Sequence, residues 1–293
     1  MAATTGGTSQ AKAAELLQRL QEGVQTLTDS DSWARLLAVQ ARFHAYSFLN
    51  VVAILFQRPD ATRVSGYQTW RELGRYVKRG EKGIAILAPI TPRAPKAEAT
   101  TEEAAEEGET KPAPRTGRPT RFRVVHVFDV SQTDGEPLPE SPAQRLSTST
   151  DAGRDLYRRL AAIAAADGIR VEADATLPRG VNGECDPAAR VIRLARGLSE
   201  DHRARTFCHE LAHAWLHDIG GDRAQQEAEA EGVAYVVATW AGLDCDGYSF
   251  GYVAGWAKDA GGAAILTRVG ATIQKTAARM IDRLAPAEER QSA

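Results

Sequence analysis

The chain has 293 residues, a formal net charge of −2, 43% hydrophobic and 25% charged residues. That length suggests two domains, that balance permits packed cores, and the overall charge supplies no drive toward nucleic acid or membrane. Three widely spaced cysteines, Cys185, Cys208 and Cys245, argue against a disulfide framework and for a reducing compartment. With no basic–apolar leader at the start and no apolar run long enough to span a bilayer, the chain reads as cytoplasmic.

Residues 1–11 are small and polar and read as a disordered lead. From Lys12 to about Phe56 the apolar residues recur with a helical period. Leu16, Leu17, Leu20 and Val24 share one face, and a second run follows a cap expected at Ser30 or Asp31. Pro59 and Gly66 break the pattern. "YQTWRELGRYV" predicts a short helix ending near "KRGEKG", and "GIAILAP" predicts a strand. Residues 91–120 are rich in Pro, Ala, Glu and Thr and nearly free of large apolar groups, so they read as a disordered insert. "RFRVVHVFDVSQT" predicts a further strand, which makes the insert a long loop inside one front domain of residues 12–135.

A linker at 136–150 leads to a rear domain at 151–285, with 286–293 as a tail. "DAGRDLYRRLAAIAAADG" predicts an amphipathic helix closed by Gly168, and "IRVEADA" a short strand. A turn at Asp186–Pro187 feeds a strand at Val191 to Leu194. Two helices follow, "TFCHELAHAWLHDIG" within the first and "DRAQQEAEAEGVAYVVATWAGL" as the second, and more helix from about Tyr252 to Leu284. The fold class expected is α+β, a mixed front domain before an α-rich rear domain with a small sheet.

The stretch "TFCHELAHAWLHDIG" carries the chemistry. Residues four apart on a helix lie one turn above each other, so His209 and His213 can aim imidazole nitrogens at one point. Glu210 is rotated by about 100° and can reach a water there without being a ligand. Two ligands and a general base are the logic of H-E-x-x-H, and Zn2+ is the expected ion. A catalytic zinc wants a third protein ligand. His217 is excluded, because eight residues separate it from His209, about 12 Å along the axis. The next helix offers Glu227 and Glu231, four apart on a shared face, with Glu229 pointing away. Glu227 is read as the ligand and Glu231 as the group that orients a histidine from behind. The reverse assignment stays open. Cys208 is read as a small buried residue.

The front half has a different signature. Between Arg63 and Lys82 six basic residues (Arg63, Arg71, Arg75, Lys78, Arg79, Lys82) face two acidic ones (Glu72, Glu81), a local charge of +4. Tyr46, Tyr67, Trp70 and Tyr76 interleave with them. Basic groups track a phosphate backbone and aromatic faces stack on unpaired bases, so Tyr46, Arg63, Tyr67, Trp70, Arg75, Lys78, Arg79 and Lys82 are candidate contacts to single-stranded DNA. The competing reading has Trp70 and Tyr67 in the core and the charges on a solvated face. Asn50 is open between a structural cap and a nucleic-acid contact.

Two resemblances sharpen this. "TFCHELAHAWLH" followed by "EAEAEGVA" resembles the ImmA/IrrE-like branch of the HExxH metallopeptidases. In that branch a second-helix E-x-x-A-[DNE]-x-x-A motif supplies the last ligand, and Glu227, Ala230, Glu231 and Ala234 match it. "GECDPAARVIRL" is similar to the family's edge strand beside the metal, a place where an extended peptide can add as a strand. The "YSxxN" helix, the "W…LGRxVxxGEKG" turn and "VFDVSQT" resemble the single-stranded-DNA-binding domain of ArdC-type antirestriction proteins. The resemblance implies a DNA-binding antirestriction protein of a mobile element carrying a zinc metallopeptidase domain, with single-stranded DNA and a protein substrate as partners. It also admits an ImmA/IrrE-like regulatory protease that cleaves a repressor, and a binding module with a structural metal. A structural zinc site is usually closed by four ligands, and three nameable ligands favour an open site.

Overall fold

The structure, a computed structural model, describes residues 5–27, 29–90, 121–138, 151–217, 220–245, 250, 253 and 262–285. The expected insert at 91–120, most of the linker and the tail lie outside the described residues. The class is α+β.

Helix α1 (Thr5–Val24) begins inside the stretch expected to be a disordered lead. Packing explains the difference. Ala13, Leu20 and Val24 are buried, and α1 lies against the strand Phe122–Asp129 and the helix Phe48–Gln57, so a docked stripe supports turns that propensity alone would not hold. Helix α2 (Ser30–Arg42) is capped one residue earlier than expected, by Asp29, whose carboxylate accepts from Ser32 N at 2.8 Å. Helix α3 (Phe48–Gln57) follows.

The front sheet is antiparallel, in the order β1 (Val64–Gly66), β4 (Phe122–Asp129), β3 (Ile84–Pro89). Ile84 pairs with Val127 and Ile86 with Val125, so one face of β3 is apolar against the core. The free edge of β3 is covered by α3 through two side-chain amides. Asn50 donates to Leu87 O and accepts from Leu87 N, both at 2.9 Å. Gln57 does the same at Ala85, again at 2.9 Å each way. Each amide stands in for a neighbouring strand, which closes this edge to further pairing.

A short helix α4 (Tyr67–Glu72) leads to a two-stranded ribbon of β2 (Arg75–Val77) and β5 (Thr133–Gly135). A polar knot joins it to the sheet. Asp129 accepts from Thr62 N, Arg63 N and Ser131 N, while Gln132 accepts from Asp129 N and donates to Glu81 and to Lys82 O. Burial raises the Asp129 carboxyl, but these donors outweigh it and hold it below the ordinary carboxylate range. The "GEKG" and "VFDVSQT" motifs are thus two halves of one hydrogen-bonded corner.

In the rear half, α5 (Ala152–Ala166) precedes a sheet ordered β6 (Arg170–Ala175), β8 (Val191–Ala195), β7 (Gly183–Asp186). β6 runs parallel and β7 antiparallel to the central β8. Helices α6 (Glu200–Leu216), α7 (Arg223–Trp240) and α8 (Gly262–Leu284) complete it. Among the described residues, no helix is long and apolar enough to cross a membrane.

One contiguous set of buried side chains runs from Ala13 to Leu284. Helix α8 joins the halves. The Gln274 amide donates to Phe43 O, His44 O and Tyr46 O at 2.9–3.1 Å, and Gln40 donates to Gly270 O at 3.2 Å. A Cβ on Gly270 would lie 2.2 Å from the Phe48 ring. Gly270→Val is therefore expected to cost at least about 1–3 kcal/mol by overpacking. Chemical denaturation checks this, and an unchanged midpoint would mean that α8 does not press on α3.

Candidate metal centre and nucleic-acid face

Helix α6 starts at Ser199, whose hydroxyl accepts from His202 N at 3.4 Å, with Glu200 and Asp201 in the first turn. Phe207, Cys208, Leu211 and Ala212 are fully buried, and this apolar stripe fixes the rotation of the helix. His209, Glu210 and His213 are thereby turned toward a cleft. Helix α7 is capped by Asp222, which accepts from Ala224 N at 3.0 Å and Gln225 N at 3.4 Å. Its small buried residues Ala230 and Ala234 let it pack closely on α6.

Across this contact His209, His213 and Glu227 converge. The two Nε2 atoms are 3.0 Å apart, and Glu227 Oε2 lies 3.5 Å from His209 Nε2 and 3.7 Å from His213 Nε2. One donor atom from each lies within 4.8 Å of the others. Donors bonded at 2.0–2.1 Å around a tetrahedral ion sit roughly 3.3–3.4 Å apart, so the trio fits a small divalent cation. Two imidazoles and a carboxylate are a borderline donor set, suited to zinc and to neighbouring first-row ions.

The electrostatics agree with that use. Burial, with His209 beside it, lowers His213 to about 4, which leaves its imidazole neutral at pH 7. Glu227 is held below the ordinary range by its hydrogen bond to His209. Burial pushes Glu210 up to about 7, aided by the charges of Glu227 and Glu184. A carboxyl that titrates near 7 can take and return a proton at neutral pH.

Among the described residues strand β7 is one of the two edge strands of the rear sheet, and it forms the opposite wall of a cleft of about 580 Å³ that holds His209, Glu210, His213 and Glu227. The Asp186 carboxylate accepts from Ala189 N at 2.9 Å and closes the turn that follows β7. The edge strand is thus β7, while the expected Val191–Leu194 strand, β8, is central. A Cβ on Gly183 would meet Glu210 Oε1 and Thr206 Cγ2 at 2.6 Å each. Gly183→Val should displace Glu210 and narrow the cleft while sparing the ligand trio. Its expected signature is unchanged metal content with reduced turnover of any cleaved peptide, and full turnover would sink the argument.

Two expectations about the surroundings are corrected. Glu229 does not point away from the site. It is buried, and its carboxylate meets His217 Nε2 at 3.1 Å and Gln225 Nε2 at 2.8 Å. Glu231, expected to orient a histidine, is half-buried, and burial raises its carboxyl. Among the described residues no hydrogen bond joins it to His209 or His213. The partner of His213 is instead His217, with Nδ1 to Nδ1 at 2.9 Å. The signal is present in the sequence, since His217 continues the four-residue spacing of the two ligands.

The front candidates divide sharply. Asn50 caps β3, and Trp70 is 2% exposed with Nε1 bonded to Phe128 O at 2.9 Å. Arg75 is spent on Thr133, Gly135 and Glu136 of the β5 segment. Asn50 and Trp70, read as DNA contacts, are corrected to internal roles, because their side chains are buried and their polar groups are bonded within the fold, whereas Arg75 is half-buried and tied to the β5 segment by the bonds above. Tyr46 is half-buried with its hydroxyl on Val64 O at 3.1 Å, and beside it Arg63 lines a cavity of about 370 Å³. Lys78 reaches Ser131 O at 3.1 Å from an exposed position. Tyr67 and Tyr76 are exposed at 52% and 59%, and Arg71, Arg79 and Lys82 are exposed as well.

Comparison with known proteins follows the same division. Residues 8–128 match the N-terminal domain of anti-restriction factor ArdC, and residues 165–238 match the IrrE N-terminal-like domain. Crystal structures of antirestriction ArdC from the R388 plasmid are similar at 21% identity in metal-free and Mn(II)-bound forms. The metal-free form covers 80% of this chain and 84% of its own, with a TM-score of 0.47. The Mn(II)-bound form covers 82% and 85%, with a TM-score of 0.48. An uncharacterized Bacillus anthracis protein, pXO2-81, is 25% identical over an alignment of 249 positions that covers 75% of this chain. The chain spans 42% of that relative's length.

Proposed function

We propose that this chain is a single-stranded-DNA-binding antirestriction protein of a mobile element whose rear half is a divalent-metal peptidase, with zinc as the ion. The observation that carries the peptidase reading is the convergence of His209, His213 and Glu227 within 4.8 Å beside a Glu210 that titrates at about 7. The three side chains would hold the ion, and the ion when bound would supply a Lewis acid for a peptide carbonyl. Glu210 takes a proton from the attacking water at its carboxylate and returns it to the leaving nitrogen. The open edge of β7 offers main-chain hydrogen bonds that hold an extended peptide across the cleft. Metal content of the purified protein, compared with that of His213→Ala, tests the site, and equal content in both would refute it.

The DNA reading is supported by the match of residues 8–128 and by the exposed Tyr67, Tyr76, Arg71, Arg79 and Lys82. Removing a stacking tyrosine is expected to cost about 1–3 kcal/mol of single-strand binding. Removing one phosphate-contacting cation should flatten the slope of log K against log salt by roughly 0.7. Fluorescent single- and double-stranded oligonucleotides, titrated across salt with Tyr76→Ala and Arg79→Ala, read both numbers. Equal affinity of wild type and both variants would remove this face from consideration. The match of residues 165–238 favours one second reading, a regulatory protease that cleaves a repressor, tested by incubating candidate repressors with wild type and Glu210→Gln.

A further inference from the structure

Behind the ligand trio lies a second row of polar side chains. His217 Nδ1 is 2.9 Å from His213 Nδ1, and His217 Nε2 is 3.1 Å from Glu229 Oε2. Gln225 Nε2 donates to Glu229 Oε1 at 2.8 Å, and Gln225 Oε1 accepts from Arg268 of α8 at 3.0 Å. The side chains of His217 and Glu229 are only 8% and 7% exposed. Buried polar groups of this kind must be satisfied or they cost stability, and here every ring nitrogen and carboxylate oxygen behind His213 has a partner.

With an ion held at His213 Nε2, the row has one consistent proton assignment. Nε2, turned toward His209 and Glu227, would then be the metal's, and Nδ1 is the nitrogen left to carry hydrogen. It donates to His217 Nδ1, which must then be a bare acceptor. The His217 proton therefore sits on Nε2 and is donated to the Glu229 carboxylate. Both oxygens of that carboxylate accept, one from His217 and one from Gln225, and Arg268 holds Gln225 with its amide nitrogen toward Glu229.

We infer that His217 and Glu229 are positioning residues: a carboxylate–imidazole relay that fixes the ring orientation and tautomer of His213 for metal binding. The inference rests on the metal reading above and deepens it. A ligating histidine gains basicity and a fixed orientation when its second nitrogen donates to a held acceptor. In most such sites the acceptor is a carboxylate or a carbonyl placed directly behind the ring. Here α7 presents its carboxylate one imidazole further back, and His217 bridges the gap between the two helices.

Two measurements on the full chain test this. The first is zinc affinity by competition with a chromophoric chelator, for wild type, His217→Phe, Glu229→Leu and Glu229→Gln, with the melting of each zinc-free protein recorded alongside. Phenylalanine removes the acceptor of His213, and leucine removes the acceptor of His217. Each is expected to weaken zinc roughly 10–100-fold. Glutamine can keep an acceptor oxygen toward His217 while its amide nitrogen faces that of Gln225, so it should restore part of that loss. Folded His217→Phe or Glu229→Leu proteins with wild-type affinity would overturn the relay. So would a Glu229→Gln protein as weak as Glu229→Leu.

The second needs no variant and so survives any failure to fold. Nitrogen-detected NMR of histidine-labelled, zinc-loaded wild type should show His217 protonated on Nε2 with Nδ1 accepting. A proton on His217 Nδ1 would overturn the assignment. A wild type that binds no divalent ion overturns the metal reading and this inference with it, whereas bound zinc with the wrong tautomer overturns this inference alone.

Discussion

Glu210→Gln is expected to leave the divalent ion bound while lowering any peptide hydrolysis by about 10²–10⁴-fold, the usual contribution of a positioned general base. The proposed ligands are His209, His213 and Glu227, and none of their donor atoms is altered by this change. The same substitution predicts a pH effect in the metal-free protein. Burial raises Glu210 from an ordinary carboxylate value to about 7, so its folded form prefers to be protonated. Folding is undisturbed by Glu210 below the unfolded value, is progressively opposed as pH rises from there to about 7, and is opposed by a constant amount above it. Glutamine, which never ionises, should therefore melt with wild type at pH 4 and above it at pH 8, by up to about 3 kcal/mol. Thermal melts at the two pH values, with chelator present, decide it. Equal melting temperatures at pH 8 would place Glu210 in contact with water.

His213→Ala should abolish stoichiometric binding, a larger loss than the roughly 10–100-fold typical of changes behind the ligands. It removes one of three donors and also the only imidazole of the trio that burial lowers to about 4 and keeps neutral at pH 7. His209 behaves otherwise. Burial depresses it, but Glu227 and Glu210 outweigh that and raise it, so in the metal-free protein a proton competes for its nitrogen. Metal affinity should consequently fall as pH is lowered, with protons released on binding. Calorimetry in two buffers of different ionisation enthalpy measures that release, and zero protons exchanged at pH 6 would contradict it.

Helical spacing makes the ligand trio legible in the amino-acid sequence itself. A four-residue interval on α6 and an acidic position on the next helix suffice to bring His209, His213 and Glu227 together. The same periodicity misplaces Glu229, because it gives the angle of a residue about its own helix and not the direction of the neighbour. The end of α6 packs against the side of α7 that carries Glu229, and that is a property of tertiary contact. The front half exposes a different limit. Aromatic and basic residues interleaved along 63–82 read as one surface, yet Trp70 and Arg75 turn inward while Tyr67 and Tyr76 turn outward. In short strands and a six-residue helix no period runs long enough to separate the two sets. Asn50 is not resolved at all by composition, because its role depends on the unpaired edge of a strand 37 residues away.

The clasp made by Gln274 on the α2–α3 corner links residues about 230 positions apart in sequence. Closing so long a loop adds little entropy per extra residue, but it delays the reward until the distant segment arrives. During synthesis, then, α1, α2 and β3 can gather around α3 early, while the part of the Phe48 ring that lies against Gly270 is covered only once α8 has been made.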